Sequence, residues 1–531
     1  MARPTVTGLR KEMTMLQLLL ANVGGIVGSS WLLGSMISAQ YAGPAALLAW
    51  VIGGILTLFM AMPFVELSST IPESGALVRY PQYSHGSLVS FFTGWAIWLS
   101  YVVVPPIEAE ASVQYANTYL HGLYSASGTL TPIGIILAMV LVIIFFYLNY
   151  LGVRVFARAN AIATVFKFIV PALTLILLIA SGFHSQNFTA PQHGGFAPYG
   201  AQGVMTAIAI GGVAFAYQGF RQAIDLAGES RNPQRDVPRA VVLSLVIAIV
   251  LYSLLQVAFV GAVSPADLVH GWAKINFSSP FASLAVALNL GWLAVLLYVD
   301  AIVSPSGTGL VYEASSARVL YAMPKNGYGP QALLRIHPKF GVPHVALTVS
   351  LVVGLLSLLP FPAWSLLVGI ASTLAIISYI LGPVSAMVLR RTGSRLHRTV
   401  KLKGLHVWSL LGFIAGMLII YWTGWPNDLY IGLGLFVGLI IYAYYFVRNK
   451  LPVEDLRSGV WLVVLTAFMI LISYLGSTSF GGSNAIKYPY DLLLVIVASV
   501  GFFYWGIASG RETPEVREHL AAMDAAPQAT D

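Results

Sequence analysis

Fourteen long apolar runs, parted by short polar clusters, dominate this chain and settle its environment before any motif is considered. They fall approximately at 15–40, 44–70, 88–118, 132–152, 160–181, 203–228, 238–263, 281–320, 344–360, 363–390, 405–424, 428–447, 459–476 and 489–509. A helix crossing a bilayer needs about 20 apolar residues, so each run is predicted to cross once, and the expected fold class is an all-α integral membrane protein. Charge agrees with this. Asp, Glu, Lys and Arg make up 9% of the 531 residues, too few to coat a water-exposed surface, whereas lipid-facing surface needs almost none. With no cysteine in the chain, disulfide scaffolds, thiol catalysis, iron–sulfur clusters and cysteine-bound zinc are excluded.

The few charges report orientation. The first run follows Arg3, Arg10 and Lys11; it is longer than the apolar core of a signal peptide and lacks a convincing cleavage site, so it reads as the first helix. With alternate loops assigned to opposite sides, twenty-four of the 28 basic residues fall on the side of the N-terminus and only Lys274 and Lys487 on the other, while Lys167 and Arg221 lie inside runs. The positive-inside rule then predicts that both termini are cytoplasmic. The net charge of +8 is accordingly read as topogenic and as lipid head-group contact, with no nucleic acid partner. The chain is expected to divide into a cytoplasmic N-terminus (1–14), a ten-helix core (15–390), four C-terminal helices (391–510) and a short cytoplasmic tail (511–531).

Two runs are poor as continuous helix. The first contains ANVGGIVGSSWLLG, which puts Gly24, Gly25, Gly28, Ser29 and Ser30 at mid-membrane depth. The sixth contains AIGGVAFAYQGFRQAIDLAGE, with Gly211, Gly212 and Gly219 around Phe215, Ala216, Tyr217 and Gln218. Glycines also serve close packing between membrane helices. Interruptions at matching places in two five-helix halves point instead to an inverted-repeat transporter with discontinuous helices. A helix restarting near Gly28–Ser30 offers free N–H groups and a positive dipole end to a carboxylate. Carbonyls freed before the break and in span six suit an ammonium, so the two breaks together form a site for a zwitterion.

These segments resemble the amino acid, polyamine and organocation superfamily of permeases, with its small-residue break in helix one and aromatic-Ala-aromatic-x-Gly-Phe break in helix six. LAGESRNPQRDVPRA is similar to that family's loop after helix six. RYPQYSHG, YLNYLGVRVFARAN and YVDAIVSPSGTG look like the family's bacterial aspartate:proton symporters. The resemblance implies a LeuT-type 5+5 inverted repeat with discontinuous helices 1 and 6, about fourteen helices in all, in the inner (plasma) membrane of a prokaryote. It places a substrate carboxylate at Ser29 and Ser30 beside Gly28, and the amine near the carbonyls of Ile26, Phe215 and Ala216. Tyr217, Gln218 and Gly219 would then lie by the substrate side chain. Two departures stand out: Ser30 replaces a usual glycine, and Arg221 stands where many members carry an acid.

Ionisable groups at bilayer depth are functional candidates by default. In proton-coupled relatives a lysine matching Lys167 occupies the place of a sodium ion in sodium-coupled transporters. An ammonium enclosed in apolar surroundings is costly, so such a lysine can exchange a proton; it can equally stay charged and bridge helices one, five and eight. The planar fork of Arg221 suits the side chain of an acidic substrate, unless it pairs with Asp225 one turn on, or with Glu229. Glu108 is a candidate for proton coupling or side-chain sensing, with Glu110 directed to a polar seam. Asp300, Ser304, Ser306 and Thr308 make span eight polar, either around the lysine or, for Asp300, in a pair near the outer end; Glu313 is expected to brace the inner end.

The leading expectation is a secondary active transporter that imports an amino acid, acidic in type, with protons. An exchanger or antiporter of the same fold, a proton-coupled permease for neutral amino acids and a membrane amino acid sensor stay open as alternatives. An enzyme is not expected: no nucleophile stands with a placed base, no HExxH pattern and no Walker motif occur, and no cofactor or metal is implied.

Overall fold

The computed structural model describes residues 13–72, 76–125, 128–151 and 153–525. Arg3, Arg10, Lys11 and the side chains of Arg154 and Arg158 lie outside the described residues. Among those described, the chain is helical throughout, without a strand beyond the isolated bridges Met13–Ser230 and Tyr124–Leu130.

The first apolar run forms α1 (Met15–Ile26) and α2 (Ser29–Ala42), and α3 (Ala46–Thr70) follows. A short amphipathic helix, α4 (Ala76–His85), leads into α5 (Ser87–Val102), α6 (Val104–Ala116), α7 (Pro132–Tyr150) and α8 (Val153–Ser181). The sixth run is α9 (Gly200–Ile210), α10 (Val213–Ala216), a 3-10 turn over Tyr217–Arg221 and α11 (Gln222–Asp225). Then come α12 (Pro233–Ala262), α13 (Pro280–Ala287), α14 (Gly291–Ala322), α15 (His344–Ser357), α16 (Trp364–Tyr379) and α17 (Leu381–Thr392). The chain ends in α18 (Leu405–Thr423), α19 (Asn427–Asn449), α20 (Val453–Leu475), α21 (Tyr490–Ser509) and α22 (Pro514–Ala525).

Among the described residues, eleven helical stretches are long and apolar enough to cross a membrane, against the fourteen crossings read from the sequence. The difference has a local origin. The stretch Ser29–Thr70 joins α2 and α3 over 42 residues, Met15–Ile26 and His344–Ser357 are apolar but shorter than a span, and α8, with 29 residues, is long enough to cross. The run at 281–320, expected as one helix, is divided at Asn289, whose φ of 60° lies in the left-handed region that asparagine tolerates better than most residues.

Apolar residues left on the outside line up at helical spacing. On α7, Ile133, Ile136, Val140, Ile144 and Tyr147 are exposed while Ala138, Val142 and Phe145 are buried, the pattern of a helix with lipid on one face. At the centre, α14 packs against α6 and α8, and α3 against α12 and α18. Five tryptophans, Trp31, Trp50, Trp272, Trp364 and Trp461, are fully enclosed.

The loops on the basic face are tied down by polar contacts. Arg390 grips Glu66 with two nearly parallel hydrogen bonds of 2.8 and 2.6 Å, and the same carboxylate accepts Leu402 N–H at 2.8 Å. Asp455, paired with Arg511, accepts Ser87 N–H at 2.9 Å and so caps α5 from α20. At the end of α4, His85 Nε2 bonds Gly506 O at 2.9 Å and Nδ1 bonds Ser84 Oγ at 2.7 Å. Burial holds this imidazole neutral and lowers its pKa from 6.5 to about 4, against the opposing Gly506 bond and helped by the charges of Arg391 and Arg511.

The sign of the linkage follows. The unfolded chain binds a proton at His85 before the folded one does, so its contribution is intact above about pH 6.5 and is lost as pH falls toward 4. Thermal melts of the detergent-solubilised protein are expected to show a loss of up to about 3 kcal/mol across that window that His85→Gln removes; an identical acid slope in both proteins would refute the assignment.

Candidate transport site

The interruption of the first run is narrower than the sequence suggested. Only Val27 and Gly28 leave helical geometry, with φ/ψ of −88°/91° and −124°/−140°, while Ser29 and Ser30 already belong to α2. The break still strips backbone groups of their helical partners at a depth where water is scarce. Side chains from four other helices take their place.

The carbonyls come first. Lys167 on α8 donates from Nζ to Gly24 O at 2.6 Å and to Thr308 Oγ1 at 2.5 Å. Tyr252 on α12 donates to Ile26 O at 2.9 Å, and Thr308 on α14 reaches Val27 O at 3.5 Å. On the other side of the break, Ser29 N–H donates to Glu108 Oε2 of α6 at 2.8 Å. Glu108 and Thr308 close on Gly28 so tightly that a β-carbon there would meet an oxygen of each at 2.8 Å. Glu108 Oε1 has no hydrogen-bond partner although the residue is buried.

The seryl side chains are also engaged. Ser29 Oγ accepts from Trp364 Nε1 of α16 at 2.9 Å, and Ser30 Oγ shares a 2.9 Å bond with Tyr252 OH. Trp364 stands edge-on to Phe215, with ring centroids 6.3 Å apart, and so spans both broken segments. No sequence signal distinguished Trp364 or Tyr252 from the other aromatics.

The second interruption lies at Gly211–Gly212. Gly212 has φ 98°, which a side chain would oppose, and the chain then tightens from α10 into the 3-10 turn. Tyr217 directs its hydroxyl to Trp50 O at 2.8 Å, toward α3. Both amide atoms of Gln218 are buried without a partner. Gly219 lies against the first break: a β-carbon on it would stand 2.5 Å from the carbonyl carbon of Gly25. Asn22 links the same elements, accepting Ala223 N–H at 2.7 Å and donating to Ser244 Oγ at 3.0 Å.

Arg221 corrects an expectation. It is fully buried but forms no ion pair with Asp225 or Glu229; the side chain lies among tyrosines instead. Its guanidinium lies 4.1 Å from the ring centroid of Tyr101, with Tyr312 and Tyr379 at 5.4 and 5.7 Å, and its three nitrogens have no hydrogen-bond partner. Asp225 instead accepts from Tyr101 OH at 3.0 Å. Asp300 is likewise engaged away from the lysine, by Ser304 Oγ at 2.5 Å and Trp31 Nε1 at 3.1 Å. The buried carboxylate of Glu313 keeps one oxygen unpartnered, and both oxygens of Glu110 are without a hydrogen-bond partner.

Tyr101, Gln222 and Asp225 also line a cavity of about 520 Å³ that extends to Arg79, Arg318 and Lys325 on the basic face. The sequence model of the amino acid permease family matches residues 13–468. The chain belongs to that family. It is 45% identical over 519 residues to a glutamate/serine transporter, AimA, of Bacillus subtilis, covering 96% of each chain. To an aspartate-proton symporter of the same organism it is 36% identical, over 94% of this chain and 97% of the other. A branched-chain amino acid permease, BcaP, is 27% identical over 82% of this chain and 93% of its own. These relatives are transporters, not enzymes, and the permease is a multi-span membrane protein whose substrate is an amino acid.

The close crossing of the two breaks gives a direct test. Gly219→Ala forces a methyl against the backbone of Gly25, which cannot yield as a flexible side chain would, and is expected to destabilise by about 1–3 kcal/mol. A wild-type melting temperature in the purified variant would contradict the crossing.

Proposed function

We propose that this permease imports an acidic amino acid, or serine, by proton symport through alternating access. The observation that carries the reading is the position of Glu108, whose carboxylate occupies the N–H of Ser29 at the start of α2. A substrate carboxylate at Ser29 and Ser30 needs the same donor, so substrate and Glu108 compete for it. A carboxylate displaced inside so enclosed a place is best accommodated by taking a proton, which ties substrate occupancy to protonation.

Lys167 stands on the other side of the same break, bound to Gly24 O and Thr308. Loss of its proton weakens the tie between α1, α8 and α14; gain restores it. The carbonyls of Ile26, Phe215 and Ala216 receive the amine, with Gly28 and Gly219 giving room for close approach and Gln218 offering unmatched amide atoms. Tyr217 supports the site through α3, and Asp300 contributes to coupling only through the charge it adds beyond Ser304. Arg221, with donors unused among three tyrosines, reads the side-chain carboxylate.

The architecture proposed for this mechanism is the 5+5 inverted repeat over 15–390, with four further helices over 391–510 and fourteen crossings in all. The N-terminal segment and the tail from 511 lie in the cytoplasm of a prokaryote, as the side of the basic loops requires. The 520 Å³ cavity then opens to the cytoplasm. The resemblance to a glutamate/serine transporter and to an aspartate-proton symporter supports the substrate class.

Uptake of labelled L-glutamate, L-aspartate and L-serine into proteoliposomes tests this. An inward proton gradient is expected to raise accumulation at least several-fold, Lys167→Gln to abolish the gradient's effect, and Glu108→Gln to retain exchange while losing gradient-driven accumulation. Transport that runs equally without a gradient and only against internal amino acid would make the protein an exchanger and sink the symport reading; selective competition by neutral branched or cationic amino acids would sink the substrate class.

A further inference from the structure

The large cavity is not part of the broken-helix site, yet one residue touches both. Gln222 borders Gly25 of the first break, and it also lines the cavity. It is 7% exposed, and its amide nitrogen is buried without a hydrogen-bond partner in the protein. Beside it Asp225 supplies an acceptor, held in place by Tyr101 OH at 3.0 Å. At the other end the wall carries three cations, Arg79, Arg318 and Lys325, of which the last two are exposed. Glu229 adds a second carboxylate to the lining.

We propose that this cavity is a second binding station for the transported amino acid, on the side of the basic loops, separate from the site at the helix breaks. The proposal rests on the reading that the permease carries a zwitterionic substrate. Its chemistry is drawn from the wall: the ammonium goes inward to Asp225, while the carboxylates are directed outward to Arg318 and Lys325. The volume exceeds that of one amino acid, so the ligand binds there with water bridging the remaining polar groups. An amino acid accumulated in the cytoplasm fills this station first and hinders release from the central site, which makes uptake sensitive to product on the inner side.

Equilibrium binding of radiolabelled L-glutamate to the full-length protein in detergent measures this. Wild type is expected to bind about two molecules per chain, the double variant Arg318→Ala, Lys325→Ala about one, and Gly28→Leu, which fills the central break, about one. In proteoliposomes, glutamate trapped inside is expected to slow initial uptake several-fold in wild type and not in the double variant. Size-exclusion profiles show whether each variant is folded.

The outcomes separate the two readings. A single wild-type site that Gly28→Leu removes and the double variant keeps would overturn the second station and leave the central site standing. A single site with the opposite response would support the station and overturn the central site. If inorganic phosphate displaces the second glutamate as effectively as glutamate itself, the cavity is a general anion site and the proposal fails.

Discussion

The break at Val27–Gly28 is the constraint on which the rest of the core is built. Two residues out of helical geometry leave carbonyls at the end of α1 and an N–H at the start of α2 without partners inside the helix, in surroundings where each unmatched group costs several kcal/mol. The molecule answers with one side chain from each of four helices: Lys167 of α8 on Gly24, Tyr252 of α12 on Ile26, Thr308 of α14 on Val27, and Glu108 of α6 on Ser29. These four residues, far apart in the sequence, are thus partners of one local defect.

A node assembled this way can be rearranged without being dismantled. Each partner is a side chain with rotatable bonds, whereas backbone bonds inside a regular helix exchange only by unwinding it. A carboxylate that takes Ser29 N–H releases Glu108, and a change in the charge of Lys167 alters its hold on Gly24 and Thr308. On the proposed reading, ligand and proton therefore act on the same short stretch of chain, and α1 can shift against α6, α8 and α14 by trading hydrogen bonds of similar strength. That is the energetic condition for two conformations to lie within a few kcal/mol of each other.

Much of this was legible in the sequence because membranes impose strict rules. Apolar length and the scarcity of charge gave the fold class, and the glycine clusters in the first and sixth runs marked both interruptions to within a few residues. Lys167 and Glu108 were visible as charges where charges are costly. What could not be read was pairing. Nothing in the local sequence of Tyr252 or Trp364 says that it reaches Ser30 or Ser29, since each contact depends on how helices more than 200 residues apart are seated. The i,i+4 rule failed at Arg221 because its side chain lies among tyrosines from other helices, and Asn289 divided a run that the sequence read as one helix.

The setting of Arg221 shows why its missing partner matters more than a salt bridge would. A guanidinium paired with Asp225 would have its fork already occupied, and an incoming carboxylate would have to displace an internal one at nearly equal strength. Three tyrosine rings stabilise the cation through their faces while leaving its N–H groups unused. The charge is held in place but its hydrogen-bonding capacity is not consumed. On the proposed reading the substrate thus meets two opposite arrangements: Glu108, an anion on a backbone donor that must be vacated, and Arg221, a cation whose donors have no hydrogen-bond partner. For a substrate with two carboxylates, the first interaction requires an exchange and the second does not, so on the proposed reading the side-chain carboxylate supplies binding energy that the α-carboxylate, competing with Glu108, gives up in part. A neutral substrate such as serine has only the competing interaction, so on the proposed reading the same geometry holds it more weakly than an acid.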